Sequence, residues 1–165
     1  MSIYAEFVPP LSKGLLALSN VLAKAEAHCD AHKIDPTVLL TSRLFPDMFP
    51  LSRQVQIACD MVRRGAVRLK GAEPDSVPDT EVTLAELKGR IANTVARLAA
   101  LAPADFEGAE GRTISFKAGP RDMSFKGADY VRFWILPNVY FHCTTAYGIL
   151  RHNGVALGKA DFLGG

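Results

Sequence analysis

Apolar residues recur every three or four positions in four separate stretches of this chain, and proline or glycine closes off each stretch. That period is the signature of an α-helix with one face turned inward. Four such helices in 165 residues leave room for little except a helix bundle. The first is expected over residues 9–32, with Leu15, Leu18, Leu22, Ala25 and Cys29 on one stripe and Pro9 and Pro10 in its opening turn. Asp35 and Pro36 read as the cap and first-turn proline of a short helix reaching Leu40. The prolines at 46 and 50 force a turn.

The second long helix is expected over residues 52–70, with Val55, Ala58, Cys59, Val62, Ala66 and Leu69 inward and Gly71 as its stop. A loop with Pro74 and Pro78 follows. Thr83 and Glu86 then have capping-box spacing and open a third helix, which carries Leu84, Leu87, Ile91, Val95 and Leu98 inward and ends before Pro103. Residues 112–126 alternate polar and apolar around a Gly119-Pro120 turn. They predict a small β-hairpin or extended segment that must pack on the bundle to persist. The fourth helical region covers residues 129–153. Pro137 kinks or divides it, Asn153-Gly154 stops it, and a glycine-rich tail follows. The expected fold class is therefore all-α: one domain, residues 1–165, a four-helix bundle with a hairpin or extended loop between the third and fourth helices.

The formal net charge of +2 offers no clustered basic face for nucleic acid. With 48% hydrophobic and 22% charged residues, the chain is globular rather than disordered. No apolar run is long enough to cross a bilayer, and no signal-peptide pattern opens the chain, so no membrane partner is expected. Cys29, Cys59 and Cys143 are odd in number and far apart, and each lies in an apolar helical setting. They read as reduced thiols acting as small hydrophobes, which fits a cytoplasmic location.

Two stretches have a family look. One is residues 43–56, RLFPDMFPLSRQVQ. The other is residues 136–147, LPNVYFHCTTAY, continuing through LRHNG at 150–154 to GKAD at 158–161. With Asp60 in the second helix and ELKGR at 86–90 in the third, they resemble the DUF1993 family of uncharacterised bacterial and fungal proteins, grouped with the DinB/YfiT-like helix bundles. The resemblance implies a DinB-like four-helix bundle, commonly dimeric, and brings no established reaction. Many members of the wider superfamily hold a divalent metal with three histidines, one on the second helix and two spaced His-x-x-x-His on the fourth. Some of those are thiol transferases or hydrolases. Three protein ligands leave a coordination position open for substrate.

This chain departs from that pattern. Its second helix has no histidine, and Ala146 stands four residues after His142. His152 lies ten residues beyond His142, roughly 15 Å along a helix and about 80° around it. No metal and no cofactor are therefore expected.

The candidate residues that remain are His142, Asp60 and Gln56. His142 shares its face with Val139, Ala146 and Ile149 and reads as a core histidine. Should the second helix face the fourth, Asp60 and Gln56 join it in a polar pocket for a small-molecule ligand. An Asp60–His142 pair there would raise the imidazole pKa and form an acid/base couple. His28 and His32 have i, i+4 spacing but no evident third ligand, so they read as a surface face. Cys143 adjoins His142 yet diverges from it by about 100°, which rules out a nucleophile–base pair. Tyr130, Phe133, Trp134, Tyr140, Phe141 and Tyr147 read as core or as the interface of a homodimer. Arg43, Arg53, Arg151 and Lys159 either bind an anion or clamp the tail through Asp47 and Asp161. The leading functional expectation is a bundle without the three-histidine centre that binds a small ligand between its second and fourth helices. The alternatives are a degenerate metal-dependent thiol transferase or hydrolase, and a non-enzymatic dimeric interaction module. The residues alone do not decide whether the chain is an enzyme.

Overall fold

The computed structural model describes residues 2–165. Its first helix, α1 (Ile3–His32), begins six residues earlier than the paired prolines suggest. The Ser2 hydroxyl accepts from the Ala5 amide at 3.3 Å and supplies the cap. Pro9 and Pro10 thus sit inside the helix, where each withholds an amide from the preceding turn. Packing outweighs that loss. Ile3, Phe7, Val8 and Leu11 are all buried, and Phe106 meets the rings of Tyr4 and Phe7 at 6.1 and 6.0 Å. A buried side chain of that size contributes roughly 1.5–3 kcal/mol.

The short α2 (Pro36–Thr41) has the Asp35 cap, whose carboxylate accepts from Thr37 at 2.9 Å. Next come α3 (Leu51–Leu69) and α4 (Leu84–Ala99). The α4 capping box is formed as expected, with Thr83 and Glu86 exchanging hydrogen bonds of 2.9 and 3.1 Å. A 3-10 turn at Pro103–Phe106 leads to the hairpin β1 (Thr113–Ala118) and β2 (Arg121–Lys126), antiparallel, with Ile114 opposite Phe125 and Phe116 opposite Met123. The hairpin lays Phe116 and Phe125 against Tyr130 and Trp134, with ring centroids 5.2–6.2 Å apart. Arg68 stacks over Phe116 at 4.6 Å and donates to the Tyr130 hydroxyl at 3.2 Å. The two strands are held on the bundle by aromatic packing, which an isolated hairpin lacks.

The fourth helical region is divided, as Pro137 implied. It comprises α5 (Gly127–Asp129), a π-turn over Tyr130–Ile135, and α6 (Leu136–His152). Proline cannot donate to the turn before it, and the chain adapts. The Leu136 amide reaches back five residues to the Val131 carbonyl, and the Asn138 side chain donates to the Trp134 carbonyl at 2.7 Å. Gly127 admits no side chain, because a Cβ there would lie 1.8 Å from the Ala109 carbonyl oxygen. The tail is ordered, with a last short helix, α7 (Lys159–Leu163).

In the bundle, α1 packs against α4 and α6, and α3 packs against the same two, so α1 and α3 sit on one diagonal. Those helices touch where Gly65 lets Phe7 and Ile135 approach closely. The fold is mostly helical with one small antiparallel sheet, in agreement with the all-α expectation.

Candidate functional site

Three of the places where this scaffold gathers polar groups or unfilled space bear on a site. The first is the α3–α6 seam. Gln54, on the inner stripe of α3, donates through Nε2 to the Phe49 carbonyl at 2.9 Å, which fixes the orientation of its amide. Its Oε1 is then the acceptor facing His142 Nδ1 at 2.7 Å. An acceptor there requires the proton on Nδ1, so the neutral ring keeps its lone pair on Nε2. Burial, followed by the positive charge of Arg53, holds the His142 pKa below its ordinary value. His142 is 8% exposed.

This geometry corrects the expected Asp60–His142 couple. The partner of His142 is Gln54, and its pKa moves down rather than up. The two candidates belong to different seams.

Asp60 belongs to the second place, a polar hollow of about 360 Å³ between α3, α4 and the loop of residues 72–82. Arg90 is its hub. The guanidinium donates to Asp60 at 2.8 Å, to both Glu81 oxygens at 3.0 and 3.1 Å and to the Pro78 carbonyl at 3.1 Å, and it pairs with Asp79 at 3.0 Å. Asp60 also meets Arg64 at 3.4 Å and Arg63 at 3.8 Å. Gln56, the third candidate, donates to Glu81 at 3.0 Å, while Arg53 pairs with Asp79 and Arg63 with Asp75. Burial pushes the Glu81 carboxyl up, but hydrogen bonds from Arg90 and Gln56 outweigh it and hold the pKa below the usual range. Four ion pairs thus tie an irregular loop to two helices.

The third place was invisible in the helical pattern. A cleft of about 410 Å³ opens where α1, α6 and α7 meet, and its walls are almost wholly apolar. Leu18 and Val21 come from α1, Tyr140, Cys143 and Tyr147 from α6, and Phe162 and Leu163 from α7. Phe162 meets Tyr147 edge-on at 6.1 Å, and Lys24 holds Asp161 at 2.6 Å. The tail is therefore clamped, but by Lys24 rather than by Arg43, Arg53, Arg151 or Lys159 as the sequence suggests. Arg43 instead donates to the Pro46 and Met48 carbonyls. Burial pushes the Cys143 thiol up to about 12, so it is a wall atom rather than a nucleophile.

The model of the DUF1993 family, a domain of unknown function, matches residues 3–163. The chain belongs to the DUF1993 family. A crystal structure of a DinB family member protein from Shewanella denitrificans is similar to this DUF1993 chain at 44% identity, with a TM-score of 0.90, over 99% of this chain and 92% of that one. No curated protein matches. For a DUF1993 chain of DinB-like fold, the donor set here does not fit a three-histidine centre. The α3 residue facing His142 is an amide, Ala146 is fully buried one turn on, and no group of three or more His, Cys, Asp or Glu residues among the described ones is placed to hold a metal. His28 and His32 do stack, at 4.3 Å, and His32 Nδ1 contacts the His28 carbonyl, with no third donor gathered beside them.

Gln54 and Arg90 went unnoticed in the sequence, although each left a signal. Both are polar residues on an otherwise apolar stripe, Gln54 one turn before Ala58 and Arg90 between Leu87 and Ile91.

Proposed function

We propose that this chain is a binding protein for a small apolar ligand, with its site in the cleft between α1, α6 and α7. The observation that carries this reading is the cleft itself: about 410 Å³ of mainly apolar space, in the size range of small-molecule sites, which are apolar with few polar groups. The reading moves the ligand away from the seam between the second and fourth long helices. In that seam Gln54 Oε1 already takes His142 Nδ1. Asp60 and Gln56 become scaffold residues that hold the 72–82 loop.

The test is calorimetric titration with straight-chain alcohols from hexanol to decanol. Affinity should rise roughly fourfold per methylene, the equivalent of about 0.8 kcal/mol. Gly14→Leu should abolish it by filling the cleft, because a Cβ at Gly14 already reaches within 3.8 Å of Tyr140. Absence of binding by every alcohol would refute the proposal.

A second reading is self-association into a homodimer, alone or alongside ligand binding. Its support is the exposure of aromatic rings: Phe133 at 68%, Phe45 at 63%, Phe141 at 57% and Phe49 at 56%. Exposed rings of this size supply apolar area of the kind that interaction surfaces bury. Native mass spectrometry of the untagged protein reads subunit number directly, and a strict monomer at tens of micromolar would remove this reading.

A further inference from the structure

We infer that the ligand class of the α1–α6–α7 cleft is an apolar monocarboxylate, its chain lying between the helices and its carboxylate held at the rim by Lys13; the inference rests on the cleft being a ligand site at all. Lys13 is the one charged side chain lining the cleft. It makes no ion pair and no hydrogen bond among the described residues, whereas the neighbouring Lys24 is already engaged by Asp161. Its aliphatic stem lies against the last turn of α7, since a Cβ at Gly164 would be 3.5 Å from Lys13 Cε. A lysine disposed in this way covers apolar surface with its methylenes and leaves the ammonium at the water boundary.

The other polar groups around the cleft are donors or acceptors without protein partners. The hydroxyls of Tyr140, Thr144 and Tyr147 make no hydrogen bond among the described residues, although all three residues line the cavity. Burial pushes the Tyr140 pKa up, so that hydroxyl keeps its proton and remains a donor. One compact cation with neutral hydroxyl donors matches a single negative charge. A phosphate monoester carries nearly two charges and is met by several cations or a forked guanidinium, and no arginine lines this cavity. The apolar walls set the rest of the molecule: an unbranched or lightly branched hydrocarbon body without further polar groups, because an unpaired polar group buried there would be penalised.

Decanoate and decanol differ only at the head and separate this inference from the reading beneath it. Decanoate should bind the wild-type protein roughly fivefold tighter than decanol, the upper range for an exposed ion pair, and 0.5 M salt should erase most of the difference. Lys13→Met should bring decanoate down to the affinity of decanol and leave decanol within twofold of wild type. Lys13 is exposed on a helix, so the variant keeps its fold. Equal binding of both compounds, unmoved by Lys13→Met, would overturn the carboxylate assignment while the apolar site stands. Binding of neither compound would overturn both.

Discussion

Replacing Arg90 with methionine asks whether the α3–α4 hollow is a buried charge network or a solvated one. The side chain of Arg90 is 7% exposed, and those of Asp60 and Glu81 are 13% and 14% exposed. Removing one member of a buried ion pair leaves the other charged and desolvated, a loss of about 3–5 kcal/mol. The survivors here are not abandoned. Asp60 keeps Arg64 and the more distant Arg63, and Glu81 keeps the Gln56 amide. Those remaining contacts place the expected loss at the lower bound, about 3 kcal/mol, which for a chain of this length lowers Tm by about 6–12 °C. Urea unfolding followed by circular dichroism gives the free energy by linear extrapolation, and the slope should not change. Combining the change with Glu81→Gln should recover part of the loss, because the amide no longer needs a cation. A loss below about 1 kcal/mol, the range of surface pairs, would refute the description of this hollow as a buried network.

The lowered pKa of His142 means that the folded state resists a proton that the unfolded chain takes up near pH 6.5; its contribution to stability is intact above that pH and declines as pH falls below it toward the lowered folded value. Urea midpoints measured between about pH 5 and 7.5 should show this slope, and His142→Gln should flatten it. A slope that His142→Gln leaves unchanged would place the titration elsewhere. Glu81 acts in a separate window: its lowered pKa contributes stability above the ordinary value of 4.5, lost as pH falls below it. Gly127→Ala forces a Cβ onto the Ala109 carbonyl oxygen and should destabilise by about 3 kcal/mol or more. Gly89→Ala, with nothing within 4 Å on an exposed helix face, should stabilise by about 0.5–1 kcal/mol; thermal unfolding of the two variants checks both signs.

What could be read in advance was local. The Asp35 and Thr83 caps, the hairpin around Gly119 and the division of the last long helix at Pro137 each depend on a few neighbouring residues, and each is present. α1 starts before its paired prolines because tertiary packing of Ile3, Phe7 and Val8 overrides the proline rule. The site was less legible for a geometrical reason. Periodicity says that His142 faces inward, but the residue it meets depends on the rotation and register of α3. A step from Asp60 to Gln54 on that helix changes a charged partner into a neutral one and reverses the direction of the pKa shift. The cleft depends on α7, five residues that look like tail in the sequence and acquire a role only by folding back onto α1 and α6.

The proposed ligand site lies in the cleft rather than in either polar seam for an energetic reason. In the α3–α6 seam Gln54 Oε1 already takes His142 Nδ1, and a ligand competing for either atom would have to break a buried 2.7 Å contact. In the α3–α4 hollow the arginines already face Asp60, Asp75, Asp79 and Glu81, so a charged ligand competes with partners held on the same scaffold at no translational loss. The cleft imposes neither penalty. Its walls are apolar, its hydroxyls have no protein partners to surrender, and its one lysine has no carboxylate beside it. Binding there removes hydrocarbon from water and forms contacts without breaking any, which favours the cleft over either seam.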